Sequence, residues 1–501
     1  MLRMLRRAVE GPLVEVGCPA VRCRARITVV ALISYPQRLG DHVASDPDHP
    51  ALTYEQHTVT RSELEALANR TARALASKGV GQDDLVTIAL PNGVAFVATT
   101  IACWKLGAVP QPVSARLPAR ELDAIIELAE PRVVVDAELD VDGFDDAPLP
   151  DAVSNPYKAM TSGGSTGRPK LILANQPSLI DPDAAPLLGM QLNGTHVMPG
   201  PLYHNGPFIW TMTALLAGNH VALGGKFDAE RTLQLVDRYH PDSMYVVPTM
   251  MARISKLPPE VRDRYDVSSL KTVWHLAAPC PPWLKEEWIN WLGAETIWEL
   301  YGGTEAQAAT IITGVEWLRH RGSVGRVNVA QFQVLRPDGS VADPGEVGEV
   351  FMRPSDDENV RTYRYVGAEA RRIEGGWESL GDMGAIDTDG YLYLSDRQTD
   401  MILAGGANIY PAEIEAALDE HARVRSCAVI GLPDDDLGNV VHAIVQTDDG
   451  SPIELDELRA HLGERLVRYK IPRTFEFTTE PLRDDAGKLR RSALRAERLT
   501  G

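Results

Sequence analysis

Between Thr161 and Lys170 the chain reads Thr-Ser-Gly-Gly-Ser-Thr-Gly-Arg-Pro-Lys. Gly163, Gly164 and Gly167 let the backbone turn its N–H groups toward phosphate oxygens. Ser162, Ser165 and Thr166 add hydroxyl donors, and Lys170 adds positive charge. Such a loop suits a polyphosphate. It differs from a Walker loop, which runs GxxxxGK[ST] into a helix. Here Pro169 and Lys170 lead into Leu171-Ile-Leu-Ala174, which reads as a strand. Ser/Gly/Thr-rich loops also serve as plain surface connections, so its meaning depends on the islands that follow.

Those islands come in a fixed order: Tyr301-Gly-Gly-Thr-Glu305, Gly381-Asp382 ahead of Asp396-Arg397, Gly405-Gly-Ala-Asn-Ile-Tyr-Pro411, and Gly487-Lys488. Together they resemble the AMP-forming acyl-CoA synthetases of the adenylate-forming superfamily, which also holds luciferases and peptide-synthetase adenylation domains. The resemblance covers residues 34 to 497 and implies ATP, Mg²⁺ and coenzyme A as reactants, with a small-molecule carboxylic acid. Joining a carboxylate to a thiol is uphill in water, so the acid is first made a mixed anhydride with AMP and pyrophosphate is expelled.

The resemblance implies a role for each island. The loop from Ser162 to Lys170 holds the β- and γ-phosphates. Glu305 holds Mg²⁺, for which a hard oxygen ligand is suited, and Thr304 contacts the α-phosphate. Tyr301 stacks on the adenine, the backbone of Ala277, Ala278 and Pro279 borders it, and Gly302 belongs to the same nucleotide site. Asp382 accepts the ribose hydroxyls and Arg397 adds a second hold. Lys488 bridges the acid and the α-phosphate as the pentavalent phosphorus forms. Gly405 and Gly406 allow close approach of the pantetheine arm, and His204 lines the junction of acyl pocket and thiol tunnel. Two positions depart from the family: Gly163 stands for a Ser or Thr, and Thr399 for an Asp or Lys pivot.

Within the family, His275-Leu-Ala-Ala-Pro-Cys-Pro-Pro-Trp-Leu-Lys285 and His320-Arg-Gly-Ser-Val-Gly-Arg326 resemble the bile-acid, steroid-acid and terpenoid-acid CoA ligases. A bulky polycyclic acid is therefore expected, in a pocket built from His204, Asn205, Phe208, Tyr245, Val247, Thr249 and Gly302. Two other readings stand beside this one: a stand-alone adenylating enzyme that loads a carrier protein in trans, and a non-catalytic nucleotide-binding homologue.

Positioning these residues needs layered α/β structure. Helix-period stretches such as Ser62–Asn69 and Ala119–Ile126 alternate with short apolar runs at Leu85–Leu90 and Val133–Val135. Ser243–Pro248 and Lys271–Leu276 read as buried strands ending in loops where α/β proteins place ligands. The helix Trp283–Leu292 puts Leu284, Trp288, Trp291 and Leu292 on one face, an expected core stripe. After residue 396 the pattern changes to that of a small α+β unit. The expected organisation is a disordered leader over 1–26, a large N-terminal domain of several α/β subdomains over 27–396, a hinge at 397–400 with Thr399 as pivot, and a mobile C-terminal domain over 401–501.

Composition bounds the rest. The 501 residues are 44% hydrophobic and carry a net charge of −19, which repels a nucleic-acid backbone. Five scattered cysteines fit a reducing cytoplasm rather than a disulfide framework. Cys280 reads as an inert small residue. No run approaches the ~20 apolar residues of a membrane span, and a homodimer is compatible with the chain.

Overall fold

The computed structural model describes residues 31–163, 169–183, 187–397, 400–404, 407–434, 437–448, 450–484 and 487–499. The leader expected over 1–26 lies outside them, as do Gly164, Ser165, Thr166, Gly167, Thr399, Gly405 and Gly406. The architecture is a large α/β domain followed by a small C-terminal domain.

Strands β1 (Ala159–Gly163) and β2 (Pro169–Ala174) form an antiparallel hairpin whose register sets Ser162 opposite Lys170. Ser162, Gly163, Pro169 and Lys170 of the phosphate-type segment thus lie in paired strands. Helix α1 (Asn205–Leu216) is apolar on all sides and almost wholly buried, as expected of a helix enclosed in a large core.

Next come β3 (Ser243–Val246), α2 (Pro248–Ser255), β4 (Thr272–His275), α3 (Pro282–Leu292), β5 (Ile297–Gly302) and β6 (Ala309–Thr313). β3, β4 and β5 lie parallel and side by side, and β6 returns antiparallel to β5. β3 and β4 are buried at every residue, because a parallel sheet is covered on both faces. Their C-terminal ends, at Val246, His275 and Gly302, therefore share one edge, where such sheets hold ligands. One detail departs from expectation. β3 does not end in a loop: Pro248 is already in the first turn of α2, where its missing N–H costs nothing.

In α3 the buried residues are Leu284, Lys285, Trp288 and Ile289, while Trp291 and Leu292 are only half-buried. The expected stripe of four apolar residues is thus rotated, and a lysine takes one of its deepest places. Lys285 is tolerated there because its Nζ donates to Glu299 of β5 at 2.5 Å, which replaces the hydration that an isolated buried ammonium would lose. Trp274, Trp288 and Trp317 are fully buried nearby, and Trp210 meets both Tyr245 and Trp274 edge-on.

β7 (Tyr363–Val366) adds to the free side of β2, with Tyr365 opposite Ile172. β8 (Glu378–Ile386) and β9 (Tyr391–Arg397) form a hairpin that brings Asp382 opposite Arg397. Beyond it the small domain has its own core. Helix α4 (Pro411–Asp419) covers a sheet in which β10 (Ser426–Asp434) pairs with β11 (Gly438–Gln446), and β11 pairs in parallel with β12 (Thr474–Thr478). Arg491, in the final helix, binds Asp400 at 2.8 Å and Glu415 of α4 at 2.8 Å.

Candidate functional site

Glu305, just past the end of β5, is only 5% exposed. Its Oε1 accepts from the Tyr365 hydroxyl at 2.5 Å and from Lys170 Nζ at 3.3 Å. Lys170 also donates to the Tyr365 oxygen at 2.9 Å and lies 4.0 Å from the centre of its ring. The three groups close a triangle. Strand register builds it, because Tyr365 stands opposite Ile172, two residues along β2 from Lys170. Burial, then the charge of Glu305, pushes the Tyr365 hydroxyl pKa far up, so it remains a donor.

The turn that carries Glu305 is tight. A Cβ on Gly303 would come within 2.8 Å of the Glu305 Oε2 and 2.5 Å of the Leu380 side chain, so a larger residue there would push on the Glu305 carboxylate. Among the described residues Oε2 accepts no protein donor, and Thr304 is half-buried beside it. One carboxylate oxygen flanked by a hydroxyl suits Mg²⁺, which completes its shell with water and phosphate oxygens rather than with a full protein cage.

The neighbouring wall holds Tyr301, whose hydroxyl donates to Asp382 Oδ2 at 2.7 Å. The structure thus brings two of the expected nucleotide ligands together. Arg397 is aligned with Asp382 by register, while its side chain, like that of Ser162, lies outside the described set. Ala277 leads into Ala278 and Pro279 with φ of 74°, in the left-handed region that costs a non-glycine residue energy. Behind this loop, His275 and Glu299 are register partners, and Lys285 pairs with Glu299. Burial first, then the Lys285 charge, keeps His275 far below its ordinary pKa and therefore neutral.

The small domain reaches the same place. Gly487 and Lys488 line a cavity of about 3010 Å³ together with Glu305, Tyr301, Asp382, Ala278, Pro279 and His204. Asp484 and Lys488 exchange two hydrogen bonds, Asp484 N–H to Lys488 C=O and Lys488 N–H to Asp484 Oδ1, both at 2.9 Å. Gly487 has φ of +76°, and a Cβ there would stand 2.4 Å from Thr249 Oγ1. The lysine loop therefore rests directly on α2.

The expected acyl-pocket residues Asn205, Phe208, Tyr245, Val247, Thr249 and Gly302 all line this cavity. Phe208, Tyr245 and Val247 are almost wholly buried, so they contribute apolar wall rather than open surface. His204 is half-buried, and its sealed Nε2 has no partner among the described residues. Burial, then the charges of Lys488 and Arg490, lowers its pKa to about 3. Cys280 also lines the cavity, and burial drives its thiol pKa up, away from the reactive thiolate.

Two residues of this site carry no motif. Tyr365 is one, and Lys158 the other. Lys158 is 2% exposed and donates to Asn205 Oδ1 at 2.5 Å. Burial lowers its pKa to about 7, against a smaller upward pull from Glu305. Its only trace in the sequence is a charge inside the short run Tyr157-Lys-Ala-Met160.

Comparison with known proteins gives the family. Residues 39–154 and 145–363 match the family described as "AMP-binding enzyme", and residues 413–488 match "AMP-binding enzyme C-terminal domain". The chain is 32% identical over 481 residues to a feruloyl-CoA synthase of an Amycolatopsis species, covering 90% of this chain and 96% of that one. It is 29% identical to an indoleacetate–CoA ligase of Aromatoleum aromaticum, over 91% and 96% of the two chains. The solved o-succinylbenzoate CoA synthetase of Bacillus subtilis, in complex with its acyl-adenylate, superposes with a TM-score of 0.76 at 26% identity, over 92% and 98% of the chains.

Proposed function

The chain belongs to the AMP-binding enzyme family, and from that premise we propose that it is an AMP-forming ligase joining a ring-bearing carboxylic acid to coenzyme A. The observation that carries this reading is the meeting of the Glu305–Lys170–Tyr365 triangle and the Lys488 loop on one cavity. In the first half-reaction the acid's carboxylate attacks the α-phosphorus of ATP, forming acyl-AMP and releasing pyrophosphate. Lys170 meets the departing phosphates, and Lys488 stabilises the charge on the α-phosphoryl and the attacking carboxylate. Thr304 contacts the α-phosphate. Asp382, held by Tyr301, receives the ribose. Glu305 is the residue that would hold Mg²⁺, which when bound neutralises phosphate charge.

In the second half-reaction the thiol of coenzyme A attacks the acyl carbonyl, AMP leaves, and the thiol proton is released. This requires Lys488 to withdraw and the Gly405–Gly406 segment to approach, with residues 397–400 as hinge and 401–501 as the moving body. His204, held neutral by its surroundings, lines the path.

For the acid, the apolar wall of Phe208, Tyr245 and Val247 favours a ring system. A polycyclic acid is the first choice, with arylacrylic and arylacetic acids as comparators. The test is mass-spectrometric product analysis of the purified protein with ATP, Mg²⁺ and such a panel, with and without coenzyme A. Acyl-CoA and AMP from a polycyclic acid support the whole reading. Turnover of the aryl acids alone replaces the substrate class, acyl-AMP alone points to a carrier-protein acceptor, and no turnover favours a non-catalytic nucleotide-binding protein.

A further inference from the structure

Lys158 is a nearly sealed polar group in the wall of the acid pocket, and it meets the beginning of α1 at Asn205. Lys158 is nearly sealed from solvent yet borders the cavity, and among the described residues its Nζ has one hydrogen-bond acceptor, Asn205 Oδ1. An ammonium carries three donors. Among the described residues the remaining contact of Nζ is the face of the Tyr157 ring, 5.5 Å away, so burying this amine in its charged form is costly to the fold, and an unbranched apolar residue would pack in its place without that cost.

Helix α1 is twelve residues long and starts at Asn205, and the His204 side chain does not cap it. The first N–H groups of a helix have no partner within it and form its positive end. Pro207 removes one of these donors, which leaves those of Asn205 and Gly206 at the cavity wall. The Tyr245 hydroxyl abuts the same turn, since a Cβ on Gly206 would stand 2.4 Å from its oxygen. The buried His204 Nε2, without a partner among the described residues, adds a further polar atom at this corner. All of these features favour an acceptor oxygen.

Resting on the ligase reading above, we propose that Lys158 and the first turn of α1 form a second oxygen-binding subsite in the acid pocket. It holds a hydroxyl, ketone or further carboxylate oxygen borne on the acid's ring system away from the reacting carboxyl. Lys158 then sets specificity rather than chemistry. The acid that fits best is an oxygenated one, and its deoxygenated counterpart leaves Lys158 with Asn205 as its hydrogen-bond acceptor among the described residues.

The experiment compares matched pairs of ring acids, with and without one ring oxygen, in the wild-type protein and in Lys158→Met and Lys158→Arg. Acid-dependent pyrophosphate exchange gives kcat and KM. Calorimetric binding of the same acids to the whole chain in the presence of AMP gives affinities that do not depend on turnover, and thermal melting verifies that each variant is folded. The wild type is expected to prefer the oxygenated member of at least one pair by ~10-fold or more in kcat/KM. Lys158→Met should erase most of that ratio through KM, while Lys158→Arg, which keeps the charge, should retain part of it.

An unchanged ratio in Lys158→Met overturns the proposal, and so does an equal loss on both members of each pair, which would place the lysine at the reacting carboxylate or in the scaffold. If no acid is turned over, the ligase reading fails and the binding ratios alone decide the subsite. Absence of any oxygen-dependent preference in the wild type also overturns it.

Discussion

The two groups of chemistry-bearing residues are held in opposite ways. Glu305, Lys170 and Tyr365 hold one another through mutual hydrogen bonds at the edge of the large domain's sheets, and Glu305 is sealed from solvent. Lys488 is an exposed residue on a short turn of the small domain, and that turn meets α2 through the bare Cα of Gly487. One set is preorganised by the core, and the other is delivered by docking. Under the ligase reading proposed above, a site divided in this way keeps its phosphate-binding groups fixed while a single charge is brought in or withdrawn.

The comparison breaks most visibly at Lys488. Lys488→Ala should lower adenylate formation, measured by pyrophosphate exchange, by on the order of 10²-fold or more, while thiolysis of supplied acyl-AMP is largely spared. Equal loss in both halves would mean that the lysine is not a delivered group. Gly487→Ala tests the docking itself. The added methyl meets Thr249 and forces a positive φ on an alanine, so adenylation should fall by about 10-fold with the second half nearly intact. Thr249→Ala in the same chain, which vacates that space, should recover part of the loss.

On the preorganised side, Tyr365→Phe deletes one corner of the triangle. Lys170 still neutralises Glu305, so a several-fold rise in the Mg²⁺ concentration needed for half-maximal exchange is expected, with a smaller change in kcat. The smallest effect is on stability. Lys158 has a pKa of about 7 in the fold against an ordinary value of 10.5. Between those values the unfolded chain holds a proton that the fold does not, so this group makes stability rise with pH across the window. Below pH 7 it is charged in both states, and the fold bears the full cost of burying it. Lys158→Met should therefore raise Tm more at pH 6 than at pH 10, and a gain independent of pH would contradict the assigned burial of a titrating amine.

What the sequence made legible follows the same division. Glu305, Asp382, Tyr301 and Lys488 sit in short motifs whose order is visible along the chain, and the structure gathers them around one cavity. Tyr365 and Lys158 have no motif, because their roles come from strand pairing and from packing against a helix start distant in sequence. Lys285 shows a different limit. Helical periodicity on α3 selects the apolar residues, yet Glu299 makes a lysine acceptable in the interior and leaves Trp291 and Leu292 half-exposed. The β3 junction shows a third, since a proline can close a strand and open a helix with no loop between them.

Arg491 lies three residues beyond Lys488 and grips both Asp400 and Glu415. The tail is therefore clamped at once to the segment that opens the small domain and to that domain's first helix, like a lever fixed close to its own fulcrum. Under the hinge reading proposed above, rotation at that segment carries the lysine with it rather than leaving its departure to fraying of the C-terminus.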